Sequence, residues 1–383
     1  MQMGHLSLFV IAAVGAAVAQ SSTPVQLAVW QMQDSGTTAG LRGIDSVDGT
    51  VAWASGTGGT VLKTTDGGRH WQPCAIPDAD KDGATLDFRG VQAWDASTAI
   101  VMASGPGDKS RLYKTTDGCL HWALLYTNPD KNGFWDAIEF WDRQNGKMLG
   151  DPVDGQFQVL TTFDGGAHWH AEENSRGLRV NPHTQGAFAA SNSSLRLRGP
   201  EFPLFGSGGT AGAYVYALAS MEQDVLKGCG DPTFRLENCV REGGPEMDVW
   251  KRYRTPIAGQ SESAGIFSIA IRHPSERTIV AVAVGGDYKK PDVRTGTAAR
   301  SLDGGKTWFA ASIPPHGYRS TVQWGESIKA WITAGTNGSD LGRDDGKTWQ
   351  PLDNGNWNAL SLPFIVGPKG RIARLNPAAL PKP

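Results

Sequence analysis

Along this chain a short apolar stretch recurs in which the second position carries a charged, polar or aromatic residue. The segments are Leu41-Arg42-Gly43-Ile44, Phe88-Arg89-Gly90-Val91, Trp135-Asp136-Ala137-Ile138, Ala187-Phe188-Ala189-Ala190, Ile266-Phe267-Ser268-Ile269, Tyr318-Arg319-Ser320-Thr321 and Trp357-Asn358-Ala359-Leu360. Each reads as the opening strand of a repeating unit. Seven such units give about 52 residues apiece, enough for four short strands and their turns. The last unit stops near Leu375 after three strands. Residues 25–32, VQLAVWQM, precede the first unit and have none of their own. They are expected to supply the missing outer strand and so remove the sheet edges.

A second pattern punctuates the units. Thr64-Thr65-Asp66-Gly67-Gly68-Arg69-His70-Trp71 returns as Thr115 to Trp122, as Thr162 to Trp169 and as Ser301 to Trp308. An eroded copy keeps Asp344, Gly346, Thr348 and Trp349. The Asp residues 66, 117, 164, 303 and 344 lie 51, 47, 139 and 41 residues apart, so the long gap holds nearly three periods. This is the Asp box, or BNR repeat. Its Asp and Ser or Thr side chains hydrogen-bond the turn backbone. Its Gly supplies a positive φ, and its Trp buries aromatic surface between sheets. The pairs Asp66/Trp71, Asp117/Trp122, Asp164/Trp169, Asp303/Trp308 and Asp344/Trp349 are therefore structural. His70, His121 and His168 take the place of the box Thr and are not metal ligands. Strand-built repeats of this period mean a β-propeller. The expected fold is all-β, a seven-bladed propeller of four-stranded blades closed by the N-terminal strand. One domain spans residues 20–376. An irregular insertion occupies about 218–248, with Trp250 as the surviving Trp of blade four, and 377–383 form a disordered tail.

Composition agrees: 49 Gly and 14 Trp with 19% charged residues suit short strands and tight turns. Lys plus Arg is 36 and Asp plus Glu is 38, so no basic face for nucleic acid is indicated. Residues 6–19 are an apolar run ending in Ala17-Val18-Ala19, the pattern of a signal peptide over 1–19. Export to the periplasm or the extracellular space is expected, with no membrane span after cleavage. Export permits disulfides. Cys229 pairs most simply with Cys239 inside the insertion, and Cys74 with Cys119 across neighbouring repeats. Four Cys allow three pairings.

The boxes, with the LRGI…GTGGTVLKTTDGG stretch, resemble the photosystem II stability/assembly factor family of Asp-box propellers. The resemblance covers residues 26–376. Gly150-Asp151-Pro152-Val153-Asp154-Gly155 and Gly285-Gly286-Asp287-Tyr288 resemble exported, non-photosynthetic bacterial members. It implies a seven-bladed propeller that binds a protein client without catalysis, through an Arg-rich patch in the photosynthetic relatives. Here Arg42, Arg89 and Arg319 stand at repeat starts, while the other starts carry Asp, Phe, Phe and Asn. Sialidases resemble the chain through the boxes only. Their Phe-Arg-Ile-Pro string is absent, and Tyr318 beside Arg319 is the nearest candidate nucleophile.

In a propeller whose strands A to D run outward from the axis, the boxes are C–D turns. The repeat starts and B–C loops then share the opposite face. This places Arg42, Arg89, Arg319 and Asp136 at the channel mouth with Asp151, Asp154, Asp287 and Tyr288. Arg suits bidentate recognition of carboxylate or phosphate. The structural alternative has Arg42 and Arg89 pairing with Asp136, and Asp151, Asp154 and Asp287 stabilising turns. The expected function is an exported, non-enzymatic binding propeller, monomeric, that engages a protein or a polar or anionic ligand at this face. The alternative is a secreted glycoside hydrolase using Asp136, Asp151 or Asp154. No Walker A, HExxH or GxSxG string is present, and no metal or cofactor is expected.

Overall fold

The computed structural model describes residues 27–76, 85–172, 176–199, 202–219, 249–275 and 278–382. The expected signal peptide lies outside the described residues. So does most of the insertion, with Cys229 and Cys239; Leu218 and Ala219 instead finish a strand, Tyr214–Ala219.

Seven antiparallel sheets follow one another along the chain. Blade one runs Leu41–Ser46, Ala52–Gly56, Val61–Thr64 and Gln72–Pro73. Blades two and three repeat this order from Phe88–Ala93 and Trp135–Phe140. Blade four is Leu195–Leu197, Pro203–Gly206, Tyr214–Ala219 and Val249–Arg254. Blades five and six begin with Ser261–Ser275 and Thr321–Gly325. Blade seven has Ala359–Ser361, Phe364–Val366 and Ile372–Leu375. Its outermost strand is Trp30–Gln33, paired antiparallel from Trp30↔Leu375 to Gln33↔Ile372. The N-terminal strand thus closes the ring as its position ahead of the first repeat required.

The core is distributed between blades. Each junction holds one apolar cluster fed by both neighbours, from the Trp53 and Phe88 cluster between blades one and two to the Leu41 and Phe364 cluster between seven and one. Trp71 packs against Phe364 of the preceding blade with ring centroids 5.6 Å apart and Trp122 against Trp53 at 6.2 Å, while Trp169 meets Phe140 of its own blade at 6.0 Å in the cluster shared with blade two. Trp250 takes the same place against Phe205, in the cluster shared with blade three. Trp30 does so for blade seven. A fully buried Trp or Phe side chain contributes roughly 1.5–3 kcal/mol, so the repeated Trp is a principal reason the blades stay docked.

The turns themselves share one hydrogen-bond plan. Thr64 Oγ1 donates to Asp66 Oδ1 at 2.9 Å and accepts from Gly68 N at 2.9 Å, while Asp66 Oδ1 accepts from His70 N at 3.0 Å. The same contacts recur at Thr115/Asp117, Thr162/Asp164 and Ser301/Asp303. In the eroded copy Asp344 still holds Thr348 N at 2.8 Å. Cys119 occupies the second Gly position of its turn at φ 71° and forms a disulfide with Cys74, joining blades one and two.

Two features depart from expectation. Residues 377–383, expected as a disordered tail, carry a 3-10 turn at Pro377–Ala379 whose preceding Asn376 side chain accepts from Ala378 N at 3.3 Å. Arg343 donates to the Pro381 carbonyl at 2.9 Å, which holds the end against blade six. The central channel is also blocked. The segment at 187–194, read as a plain strand start, crosses the axis before blade four begins. Asn192 Nδ2 donates to the Ile138 carbonyl at 3.0 Å and its Oδ1 accepts from Ile138 N at 2.8 Å. Ser191 Oγ donates to the Ser320 carbonyl in blade six at 2.7 Å. The Ser191, Asn192 and Ser193 side chains of the plug are all hydrogen-bonded to surrounding blades, whereas the buried Ser194 Oγ has no partner among the described residues.

Candidate binding face at the channel mouth

A common backbone device builds the mouth. The A–B ladder slips by one residue at Leu41/Gly43, Phe88/Gly90, Trp135/Ala137 and Ile266/Ser268. The skipped residues are Arg42, Arg89, Asp136 and Phe267. A β-bulge re-aims the side chain of its extra residue, so four blades present their second repeat position outside the ladder. Four of the seven predicted starts therefore carry side chains released by one local irregularity.

Arg42 and Arg89 converge on a single carboxylate oxygen. Asp87 Oδ2 accepts from Arg42 at 3.4 Å and from Arg89 Nε at 2.8 Å. Arg89 also donates to the Ala189 carbonyl of the plug at 3.1 Å, and its guanidinium lies 5.9 Å from the Phe134 ring centroid. The pairing is therefore with Asp87, which stands just ahead of the strand that carries Arg89, and not with Asp136. Both Arg side chains are about a quarter to a third exposed, 30% for Arg42 and 25% for Arg89. Burial, then the neighbouring Arg89, pushes the Arg42 guanidinium below its usual pKa range, with Asp87 opposing. Two guanidiniums against one carboxylate leave this cluster itself with a positive surplus.

Asp136 is 1% exposed and its Oδ2 has no hydrogen-bond partner among the described residues. Burial, then the charge of Asp151, lifts its pKa well above the carboxylate range, against the pull of Arg89. Asp151 is lifted by burial too, although its Oδ1 accepts from Ala187 N at 2.9 Å. Asp136 and Asp151 are thus brought together.

An aromatic group completes the face. Phe188 stacks on Phe267 with centroids 4.0 Å apart, and Phe267 meets Tyr318 edge-on at 4.9 Å and Tyr288 at 6.1 Å. A Cβ at either Gly208 or Gly265 would lie 2.6 Å from the Phe188 ring. That close approach explains why the Gly208–Gly209 pair joins blade five as a short extra strand. Tyr288 is 47% exposed, and Lys289 and Lys290 beside it are exposed.

The other expected residues sit elsewhere. Arg319 is fully buried and points away from the mouth: its Nε donates to Asp340 Oδ2 at 2.7 Å and its Nη1 to Asn337 Oδ1 at 2.6 Å. Blade six lacks the bulge, its ladder starting only at Thr321↔Ala334. Tyr318 is 4% exposed and burial raises its hydroxyl pKa, which removes it as a nucleophile. Asp154, with φ 50°, and Gly155, with φ 78°, form the two-residue turn after Gly146–Val153, and Asp154 is exposed. Such a turn favours Asp-Gly. Asp287 accepts from Ser263 at 2.7 Å, Ser261 at 3.2 Å and Lys289 N at 3.0 Å, again a turn role. Sequence reasoning missed Asp87 and Phe134. The signal for Asp87 was its place one residue before a repeat start. Among the described residues no group of His, Cys, Asp and Glu could hold a metal ion, and no helix is long and apolar enough to cross a membrane.

No family model matches the chain, and no curated protein matches it. Among solved structures it is similar to "YCF48 bound to D1 peptide", with TM-score 0.58 and 16% identity over 92% of this chain and 98% of that one. It is similar also to "YCF48 from Cyanidioschyzon merolae", with TM-score 0.60 and 17% identity over 92% of this chain and 100% of that one. YCF48 is the photosystem II assembly factor, so the resemblance seen in the repeat motifs extends to the whole fold.

Proposed function

We propose that this chain is an exported, assembly-factor-like propeller that binds a protein client at the channel mouth and performs no chemistry there. The observation that carries this reading is the Arg42–Asp87–Arg89 cluster, with its surplus positive charge beside the Phe188, Phe267 and Tyr288 aromatics. Tyr288 is exposed and Phe267 buried beside it, and aromatics and Arg are among the residue types that dominate protein interfaces. Partial burial strengthens Arg pairing with an incoming carboxylate. The full-length similarity to a propeller solved with a peptide bound supports a protein client.

A peptide array probed with the purified mature protein tests this. Peptides rich in Asp and Glu or ending in a free carboxylate should bind, and Lys-rich peptides should not. Equal binding of both sets, or binding that an Arg42→Ala/Arg89→Ala variant retains, overturns it.

The second reading, a glycoside hydrolase, is favoured only by the Asp136 and Asp151 pair. Two neighbouring carboxyls both raised by burial, Asp136 further by the charge of Asp151, are candidates for acid/base work. Hydrolysis of a fluorogenic glycoside panel that disappears in Asp136→Asn would establish it. Absence of the activity across the panel favours the binding reading.

A further inference from the structure

The plug divides the channel into two compartments. Below it, on the side of the box turns, lies a cavity of about 400 Å³ lined by the far ends of the inner strands. Pockets of this size suit a small molecule. Much of its polar wall serves the fold. Gln92 Oε1 accepts from Phe140 N at 3.3 Å, Gln323 Oε1 from Leu362 N at 2.6 Å and Ser361 Oγ from Ser46 N at 2.9 Å. Each ties one blade to the next.

Asp45 is different. Its Oδ2 makes the same kind of bond, to Ala93 N at 2.7 Å, and also takes Gln92 Nε2 at 3.3 Å. Its Oδ1 accepts no hydrogen bond among the described residues, and Asp45 lines the cavity. The titratable groups around it are few. Glu139 is paired with Arg196 at 3.4 Å. Arg272 is engaged by Asp345 at 2.7 and 2.8 Å. His273 is exposed at the rim. Two carboxylates therefore face one guanidinium, and Asp45 is the carboxylate without a cation.

We propose that this cavity is a binding site for a small primary ammonium compound, with Asp45 as its counter-ion. The ammonium donates to Asp45 Oδ1 and replaces the water that a buried carboxylate otherwise needs. Gln323 Nε2 and the cavity hydroxyls are left to meet the rest of such a ligand. Burial pushes Asp45 up to about 6, with Ala93 N and Arg196 opposing. A bound cation removes the cost that this rise expresses.

Titration calorimetry with putrescine tests the site, with glucose and citrate as the neutral and anionic comparisons. Putrescine should bind at pH 7.5, and about tenfold more weakly at pH 5 because Asp45 is then mostly protonated. Asp45→Asn, which keeps an acceptor for Ala93 N, should weaken binding by roughly 10- to 100-fold. Gln323→Glu keeps the acceptor for Leu362 N and adds a negative charge, so it should tighten binding. Glucose binding as well as putrescine, no binding of putrescine at all, or Gln323→Glu binding no better than wild type overturns the proposal. The Gln323→Glu result decides the matter if Asp45→Asn does not fold. Arg42→Ala/Arg89→Ala, on the far side of the plug, should leave putrescine binding unchanged, so this site and the mouth are tested separately.

Discussion

Ser191 Oγ donates to the Ser320 carbonyl at 2.7 Å, a contact between the segment leading into blade four and the inner edge of blade six. Ser193 continues the line to Ser268 at 2.6 Å, and Ser268 in turn accepts from Val322 N at 2.9 Å. The plug thus couples blades that no ladder connects. It also separates the Arg-rich mouth from the Asp45 cavity.

Asn192 is the plug's anchor to blades two and three, bonding the Val91 and Ile138 carbonyls and Ile138 N. Asn192→Ala leaves those buried backbone groups unpaired. Loss of about 1–3 kcal/mol in urea unfolding is expected. A change within experimental error would mean the plug contributes nothing to closure.

Arg319 and Asp340 form an ion pair in which both side chains are 0% exposed. Asp340→Asn strands a buried guanidinium and should cost about 3–5 kcal/mol in equilibrium unfolding. Arg42→Ala/Arg89→Ala, at partly exposed positions, should cost only about 1 kcal/mol. The two results separate a structural Arg from a binding pair that sequence alone grouped together.

The Cys74–Cys119 disulfide closes a loop with a sequence separation of 45 residues. Cys74→Ser/Cys119→Ser should lower stability by about 2–4 kcal/mol. Identical unfolding midpoints for oxidised wild type and the double variant would exclude a stabilising role.

Two carboxylate groups give opposite pH dependences. Asp117 is held down to about 2 by His121 N and then the His121 side chain, against burial, and Asp66 and Asp164 are lowered in the same way. A folded pKa below the unfolded one gives stability that is present above pH 4 and lost as pH falls toward 2. Asp45 is raised to about 6, so the folded state binds its proton more tightly and stability falls as pH rises from about 4 to 6. Asp45→Asn should make the fall between pH 4 and 6 in a stability–pH profile shallower, since Asp136, Glu139 and Asp151 are raised as well, and leave the acid limb intact.

The ring was legible because five of the seven blades carry a turn whose hydrogen bonds demand specific residues. Asp66, Gly67 and Trp71 mark a blade wherever they recur, and even Trp250 and Trp30 could be placed without a box. The mouth was legible in part. Arg42, Arg89 and Asp136 occupy equivalent repeat positions, yet Arg42 and Arg89 stay partly exposed while Asp136, on the same kind of bulge, and Arg319, without one, are buried. The plug was not legible. Asn192 and Ser191 belong to no repeat, and their partners lie about 50 to 130 residues away. The Asp45 cavity was hidden for a related reason. Asp45, Gln92 and Glu139 follow the bulge positions on successive inner strands, yet what distinguishes Asp45 is that the nearby Arg196 guanidinium is paired with Glu139, a tertiary property.

The most direct test of the mouth as a client site is photo-crosslinking from Tyr288→benzoylphenylalanine in the cells that make the protein. The exposed ring stands beside Phe267 at the mouth. A discrete crosslinked protein that disappears when Arg42→Ala/Arg89→Ala is added is the predicted result. A crosslink that persists unchanged in the Arg double variant, or none at position 288, would contradict it.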